Sequence, residues 1–551
     1  MPSRPEPVSR PRLLVGGLQL LLVAPIAVQG LVSLLSSWTG EPHPALLVSL
    51  AALVPVLLAG VVALARGVIH PAVAWAAGGL AGGLLYAFSG APVSSLAAAA
   101  LSGWIAARGL PLAAARAPLP RGRVTAALWG LLAALALLQF GRMSVFMADP
   151  TQSWGALAPA EFLSRHSCLT SYVHGAELAR RGDANIYDDR YGFEPEAPIP
   201  ELPSAIDIGP LTMDTYEYPP QFLALPRLFL ALTPDFMAIR ALWFALTAAV
   251  FVAVSLALAR WLGGEAERRA RLLMLAIGLS PPLLITGYFG NFQPMAMGLG
   301  ALAMLAIVQG RTRSGAALLA FVISAKIFPG ILGVWLLASR RWAAAAWTVL
   351  FAAVYAVLAV ALFGTRPFDD FVGYHLPRLA SGETFAFLSQ PMASMSNLGV
   401  FGLPFKLRIA GWSGSEADAW ALARTLAWVY TLVLFVVAAW SGWRRREPTT
   451  THERAVMIGE WFGLLALGAL RSPFAPPEAL IPLVWALAFR AAAAERRRQV
   501  VAAVAVWVVI MITLPTPTPI AATVALAVQA VIYAAALWLA LGARWSRRST
   551  P

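Results

Sequence analysis

Apolar runs, many of them about as long as a bilayer-crossing helix needs, alternate along the chain with short arginine-bearing connections. Windows of spanning character lie near 13–36, 45–65, 70–88, 93–107, 124–146, 238–260, 271–287 and 294–309. A shorter pair follows near 314–326 and 328–338, then further windows near 343–364, 419–442, 455–470, 476–490, 499–514 and 519–541. The pattern predicts helices throughout, hence an all-α polytopic membrane protein. Two long segments interrupt it, near 147–237 and 365–418. The first is acidic; the second is rich in aromatic residues, Gly, Ser and Pro. Loops of this length in a compact protein usually carry function.

The charge distribution orients the runs. Arg66, then Arg108, Arg116, Arg121 and Arg123, then Arg268, Arg269 and Arg271 occupy alternate connections. Arg311 and Arg313, Arg340 and Arg341, the triplets beginning at Arg444 and Arg496, and finally Arg544, Arg547 and Arg548 continue the series. Cytoplasmic loops collect arginine and lysine. The series therefore places both termini in the cytoplasm of a cell (inner) membrane protein and both long loops outside. It holds only if 314–338 is two short segments hinged at residues 326–330. Arg4, Arg10 and Arg12 precede the first run, which reads as a signal anchor rather than a cleaved signal peptide.

Composition changes little in this picture. Hydrophobic residues make up 59% and charged residues 12% of 551, about half the charge of a soluble domain. The formal net charge of +14 would suit nucleic acid, but its confinement to short connections excludes that partner. One cysteine, Cys168, excludes an intrachain disulfide and any cysteine-based metal site. Residues 1–123 form a four-span accessory bundle with a Pro- and Arg-rich linker at 110–123. Residues 124–490 form the working core, and 491–551 a C-terminal two-span segment.

The chemistry lies in a few residues. Lys326 and Lys406 are the only lysines, and Lys326 sits inside an apolar stretch, where a charge costs about 2.5–3.5 kcal/mol on the mildest scale. Pro329-Gly330 follows and breaks the helix, as at many membrane binding sites. The lysine either snorkels to a headgroup or holds a phosphate. Arg378, Arg408 and Arg471 fall on the outer side and extend the anion-binding reading. Among the acids, Asp149 directly follows a span and precedes a proline. It is either a partly desolvated general base or the cap of a turn. Asp214 and Glu217 are rival bases. Glu217 is flanked by Tyr216 and the stiff Tyr218-Pro219-Pro220 step. His375 is a further phosphate ligand or an interfacial histidine. Asn291 and Gln293, in a short outer connection, bind a polar headgroup or cap helix ends. His166 and His174 lie too far apart in sequence for a helical metal pair, and no third ligand is adjacent. The expectation is therefore no metal and no cofactor.

The segments Asn185-Ile186-Tyr187-Asp188, Tyr218-Pro219-Pro220, Gly290-Asn291-Phe292-Gln293 and Ala325-Lys326-Ile327-Phe328-Pro329-Gly330 occur in an order that resembles glycosyltransferase family 87. The resemblance covers about residues 124–490. It implies a GT-C-like multi-span helical bundle with two long external loops. It further implies a hexose, mannose in the first instance, transferred from a polyprenyl-phosphate sugar donor to a lipid or glycan acceptor hydroxyl on the outer face. Asp149, the acid after the first core span, would act as base, with Glu217 and Asp214 as its rivals; Lys326, Arg471, His375 and Arg378 would hold the donor phosphate, and His166, Tyr187, Tyr218, Asn291 and Gln293 would line the substrate. The chain departs from the family where members often carry an acid some fourteen residues before the glycine matching Gly182. That position is about Cys168. The main rival is a transporter or lipid flippase, which would show an inverted repeat or paired broken helices, and the sequence has neither. A ligase or polymerase using a lipid-diphosphate donor is a second rival, and a non-catalytic membrane scaffold is a third.

Overall fold

The computed structural model describes residues 139–151, 165–182, 185–188, 207–444, 447–512 and 517–542. The expected accessory bundle, its linker and the last arginine cluster lie outside the described residues. Every regular element among the described residues is a helix, as the apolar runs require of an all-α polytopic membrane protein.

A helical stretch over 139–148 leads into the first long loop. That loop contributes α1 (Cys168–Arg181) and, after a 3-10 turn at Pro220–Leu223, α2 (Ala224–Leu232). Helix α3 (Phe236–Leu262) starts at Asp235, whose carboxylate accepts from Met237 N at 2.9 Å. The single span expected near 271–287 is instead α4 (Gly264–Gly278) and α5 (Pro281–Phe289). Pro281 and Pro282 have no N–H to continue α4, but they suit the first turn of a new helix. Helix α6 (Gln293–Val308) then leaves α5 at 113°. The bend is made at Gly290, whose φ of +68° is strained for any residue with a Cβ.

Helices α7 (Thr312–Ala325) and α8 (Ile331–Ala338) are the two short segments expected around Lys326, joined by a 3-10 turn at Phe328–Gly330. Helix α9 (Trp342–Phe363) leads to the second long loop, which is largely helical. It holds α10 (Arg366–Asp370), a π turn at Phe371–His375, α11 (Leu376–Ser381), a 3-10 stretch at Glu383–Ser389, α12 (Pro391–Ser396) and α13 (Gly402–Ile409). Helices α14 (Glu416–Trp443) and α15 (Thr451–Leu470) both open with capping boxes, Ser415 with Asp418 and Thr450 with Glu453. Then come α16 (Ile481–Ala492), α17 (Arg497–Ile510) and α18 (Pro519–Ala540).

Of the described helices, α3, α9, α14 and α18 are each long and apolar enough to cross a membrane, and α5 with α6 makes a broken fifth. Helices α9 and α14 leave large apolar side chains uncovered, among them Val349 at 71% and Leu432 at 66% exposure, as a lipid-facing surface does. Between helices in lipid, close backbone approach replaces hydrophobic burial as the main source of cohesion. Gly315 of α7 and Gly463 of α15 serve this. A Cβ on Gly315 would stand 2.7 Å from Ala303 O of α6, and one on Gly463 would stand 2.5 Å from Ala540 N of α18. Inside, Trp485 stacks between Phe251 and Phe462 and donates from Nε1 to Ser255 Oγ at 3.0 Å. A second core of Tyr172, Phe222, Trp243 and Phe292 lies under the first long loop. The candidate site rests on it.

Candidate functional site at the break after helix 7

The segment preceding Tyr218-Pro219-Pro220 is extended and docks along the start of α1. Thr212 N donates to Arg165 O at 2.9 Å, and Asp214 N donates to Thr170 Oγ1 at 3.1 Å. These two bonds bring Asp214 beside His166 and Cys168. The Asp214 Oδ2 lies 3.9 Å from His166 Nε2, which in turn lies 3.5 Å from Cys168 Sγ. Thr215 N holds the other carboxylate oxygen at 3.1 Å. The His166 ring is braced edge-on against Phe289, centroids 4.6 Å apart. Desolvation raises the Asp214 carboxyl above the ordinary aspartate value, opposed by the nearby His166 and the Thr215 N–H. Its side chain keeps 31% of its exposure, so the desolvation is partial.

The bend between α5 and α6 supplies the opposite wall. Asn291, two residues before the start of α6, accepts from Gln293 N at 2.9 Å and donates from Nδ2 to Cys168 Sγ at 3.3 Å. Gln293, buried, opens α6. Phe292 N donates to Tyr172 OH at 3.2 Å, and Tyr172 OH donates to Tyr218 OH at 2.8 Å. Tyr187 OH donates to Tyr218 O at 2.9 Å. Helix α7 ends at Lys326, whose extended backbone (φ −142°, ψ 131°) turns the side chain out of the helix. Its ammonium sits 4.8 Å from the centre of the Tyr218 ring, a cation–π contact worth about 0.5–2 kcal/mol. Lys326 thus lies against the Tyr218 ring, with Cys168, Glu478 and Glu217 within electrostatic reach. Cys168 is likewise within reach of Asp214.

Other residues singled out from the sequence have different surroundings. Asp149 caps its own turn: its Oδ1 accepts from Thr151 N at 3.0 Å and Thr151 Oγ1 at 2.6 Å. The buried Arg240, which donates to Phe146 O at 2.5 Å, lies within electrostatic reach of it. His375 is buried, stacked on Tyr187 at 4.7 Å and hydrogen-bonded through Nε2 to Glu217 O at 3.3 Å. Arg378 is bound to Tyr374 OH and to Glu383, the latter at 3.1 Å. Arg471 donates to Thr431 Oγ1 at 2.5 Å. Lys406 is fully buried and donates to Gln529 Oε1 at 2.8 Å and to Asn397 O. It ties α13 to α18.

Sequence reasoning missed two members. Glu478 is a buried acid inside the expected span 476–490, and an acid within a span was itself a signal. Cys168, one cysteine in the chain, was set aside from any metal site, because a pattern of spaced cysteines is what sequence reading looks for and its partners here are a histidine and an aspartate. The metal reading changes as well. Sequence spacing weighs His166 against His174, whereas the fold groups His166 with Cys168 and Asp214, their ligand atoms all within 4.8 Å of one another.

Residues 216–473 match the model of glycosyltransferase family 87. Over this segment the chain is similar to glycosyltransferase family 87. The match contains Tyr218, Asn291, Gln293 and Lys326, which carried the resemblance in the sequence, and it indicates a glycosyltransferase. No curated protein and no solved structure matches the chain.

Proposed function

We propose that this protein transfers a hexose, mannose in the first instance, from a polyprenyl-phosphate donor to an acceptor hydroxyl at the outer face of the cell membrane, with both termini cytoplasmic. The observation that carries the reading is the helix break at Lys326. It sets an ammonium over Tyr218, within electrostatic reach of Glu478 and Glu217, at the end of an apolar helix. A lipid-linked monophosphate needs that arrangement: its chain stays in the membrane while its headgroup reaches a cation.

Asp214 is the base in this reading. It stands beside Cys168, the position at which family members often carry an acid, while the Asp149 carboxylate is taken up by its own turn. The acceptor O–H gives its proton to the Asp214 carboxylate as its oxygen forms the new bond to the anomeric carbon. The bond from that carbon to the phosphate oxygen breaks, and the electron pair leaves on the phosphate, opposite Lys326. One direct displacement inverts the anomeric centre. Preorganised charge opposite a developing anion is commonly the largest catalytic contribution.

The test is transfer from a synthetic polyprenyl-phosphate mannose by the purified full chain. Lys326→Ala is expected to insert and fold yet lose about 10²–10³-fold in turnover, the usual cost of removing one such group. Near-normal transfer by Lys326→Ala ends the phosphate role of this lysine. No transfer by wild type from any polyprenyl-phosphate hexose ends the donor assignment.

A further inference from the structure

We propose that His166, Cys168 and Asp214 bind a divalent cation of the zinc class. The Sγ, Nε2 and carboxylate oxygen lie within 4.8 Å of one another, with Sγ to Nε2 at 3.5 Å and Nε2 to Oδ2 at 3.9 Å. A tetrahedral zinc with Zn–S of about 2.3 Å and Zn–N of about 2.0–2.1 Å holds its ligand atoms about 3.5 Å apart. The donors therefore close on the ion with sub-ångström movements of side chains. The set is one thiolate, one imidazole and one carboxylate, which selects zinc over magnesium or calcium.

The surroundings are those of supported ligands. Asn291 Nδ2 donates to the Sγ at 3.3 Å, Phe289 fixes the plane of the imidazole, and Thr215 N holds Oδ1 so that Oδ2 is the oxygen turned to His166. Three protein ligands leave a fourth position for water or a substrate oxygen, the pattern of reactive rather than structural zinc sites. Binding replaces the thiol proton, which passes to solvent. A coordinated carboxylate no longer takes up a proton. The loaded protein is therefore silent in transfer, a consequence that rests on Asp214 being the base.

The experiment uses the full chain, purified without a metal-chelating tag, stripped with chelator and equilibrated with zinc or cobalt. One zinc per wild-type chain is expected by elemental mass spectrometry, together with a near-ultraviolet thiolate-to-cobalt charge-transfer band. Cys168→Ser should lose the band, and His166→Gln should lose bound zinc while retaining the thiol. Melting curves of the stripped proteins control for folding, and His166→Gln serves if Cys168→Ser fails to fold. Equal zinc content in wild type and His166→Gln overturns the site, as does a wild type that takes up none. Zinc bound at one per chain with transfer undiminished leaves the site standing and removes Asp214 as the base.

Discussion

At the scale of the residue, the two acids compared most directly are Asp214 and Asp149. Asp214→Asn keeps shape and removes basicity, so turnover is expected to fall by about 10²–10⁴-fold, with donor binding retained. Asp149→Asn should leave turnover within a few-fold, because the amide oxygen still accepts from Thr151. Steady-state transfer by both variants, with Glu217→Gln beside them, decides which carboxylate serves. The reverse ranking would sink the assignment. Lys326 was legible in the sequence because it is one of two lysines in a chain that otherwise uses arginine, and it interrupts an apolar run. Asp214 could not be ranked above Asp149, because sequence gives order and not distance. The backbone bonds from Thr212 and Asp214 onto the start of α1 are what bring Asp214 to Cys168 and His166, and no periodicity announces them.

At the scale of the element, the site depends on where α7 ends, and α7 is positioned by its contact with α6. Gly315→Ala would drive a methyl group into Ala303 O, which overpacking data put at about 1–3 kcal/mol of destabilisation. A lower melting temperature together with weakened donor binding is expected. Unchanged melting would mean that the helices separate at no cost. The broken pair around Lys326 was readable because Pro329-Gly330 cannot continue a helix and the arginine pattern demanded a turn. The break between α4 and α5 was not foreseen, since the apolar character runs straight through Pro281-Pro282. In the second long loop, the Gly, Ser and Pro content conceals a largely helical segment. Those residues mark the ends of short helices, with Pro391 in a first turn and Gly382 in the left-handed region.

At the scale of the whole molecule, orientation and buried charge govern behaviour. A cysteine introduced as Pro200→Cys in a Cys168→Ser background should react with an impermeant maleimide from outside intact cells. Reaction from the cytoplasmic side alone would invert the topology. Lys406 gives a pH dependence. Burial lowers its ammonium from 10.5 to about 7, because two neutral acceptors do not replace water around a charge. Between about 7 and 10.5 the unfolded chain binds a proton that the folded chain lacks, so stability rises with pH across that window. Below about 7 both states are protonated and the penalty is complete. The melting temperature in detergent should climb from neutral pH upward, and Lys406→Met should flatten the climb. An equal climb in the variant would assign it to another group.

The chain has one cysteine, and it stands at the centre of the site, only 7% exposed. Wild-type protein is thereby its own single-label probe. An alkylating reagent can form one adduct per chain, counted by intact mass, and its rate reports how often the buried thiol becomes accessible. Donor, acceptor or an inhibitor that covers the thiol slows the reaction, so occupancy can be followed with no engineered tag and no turnover.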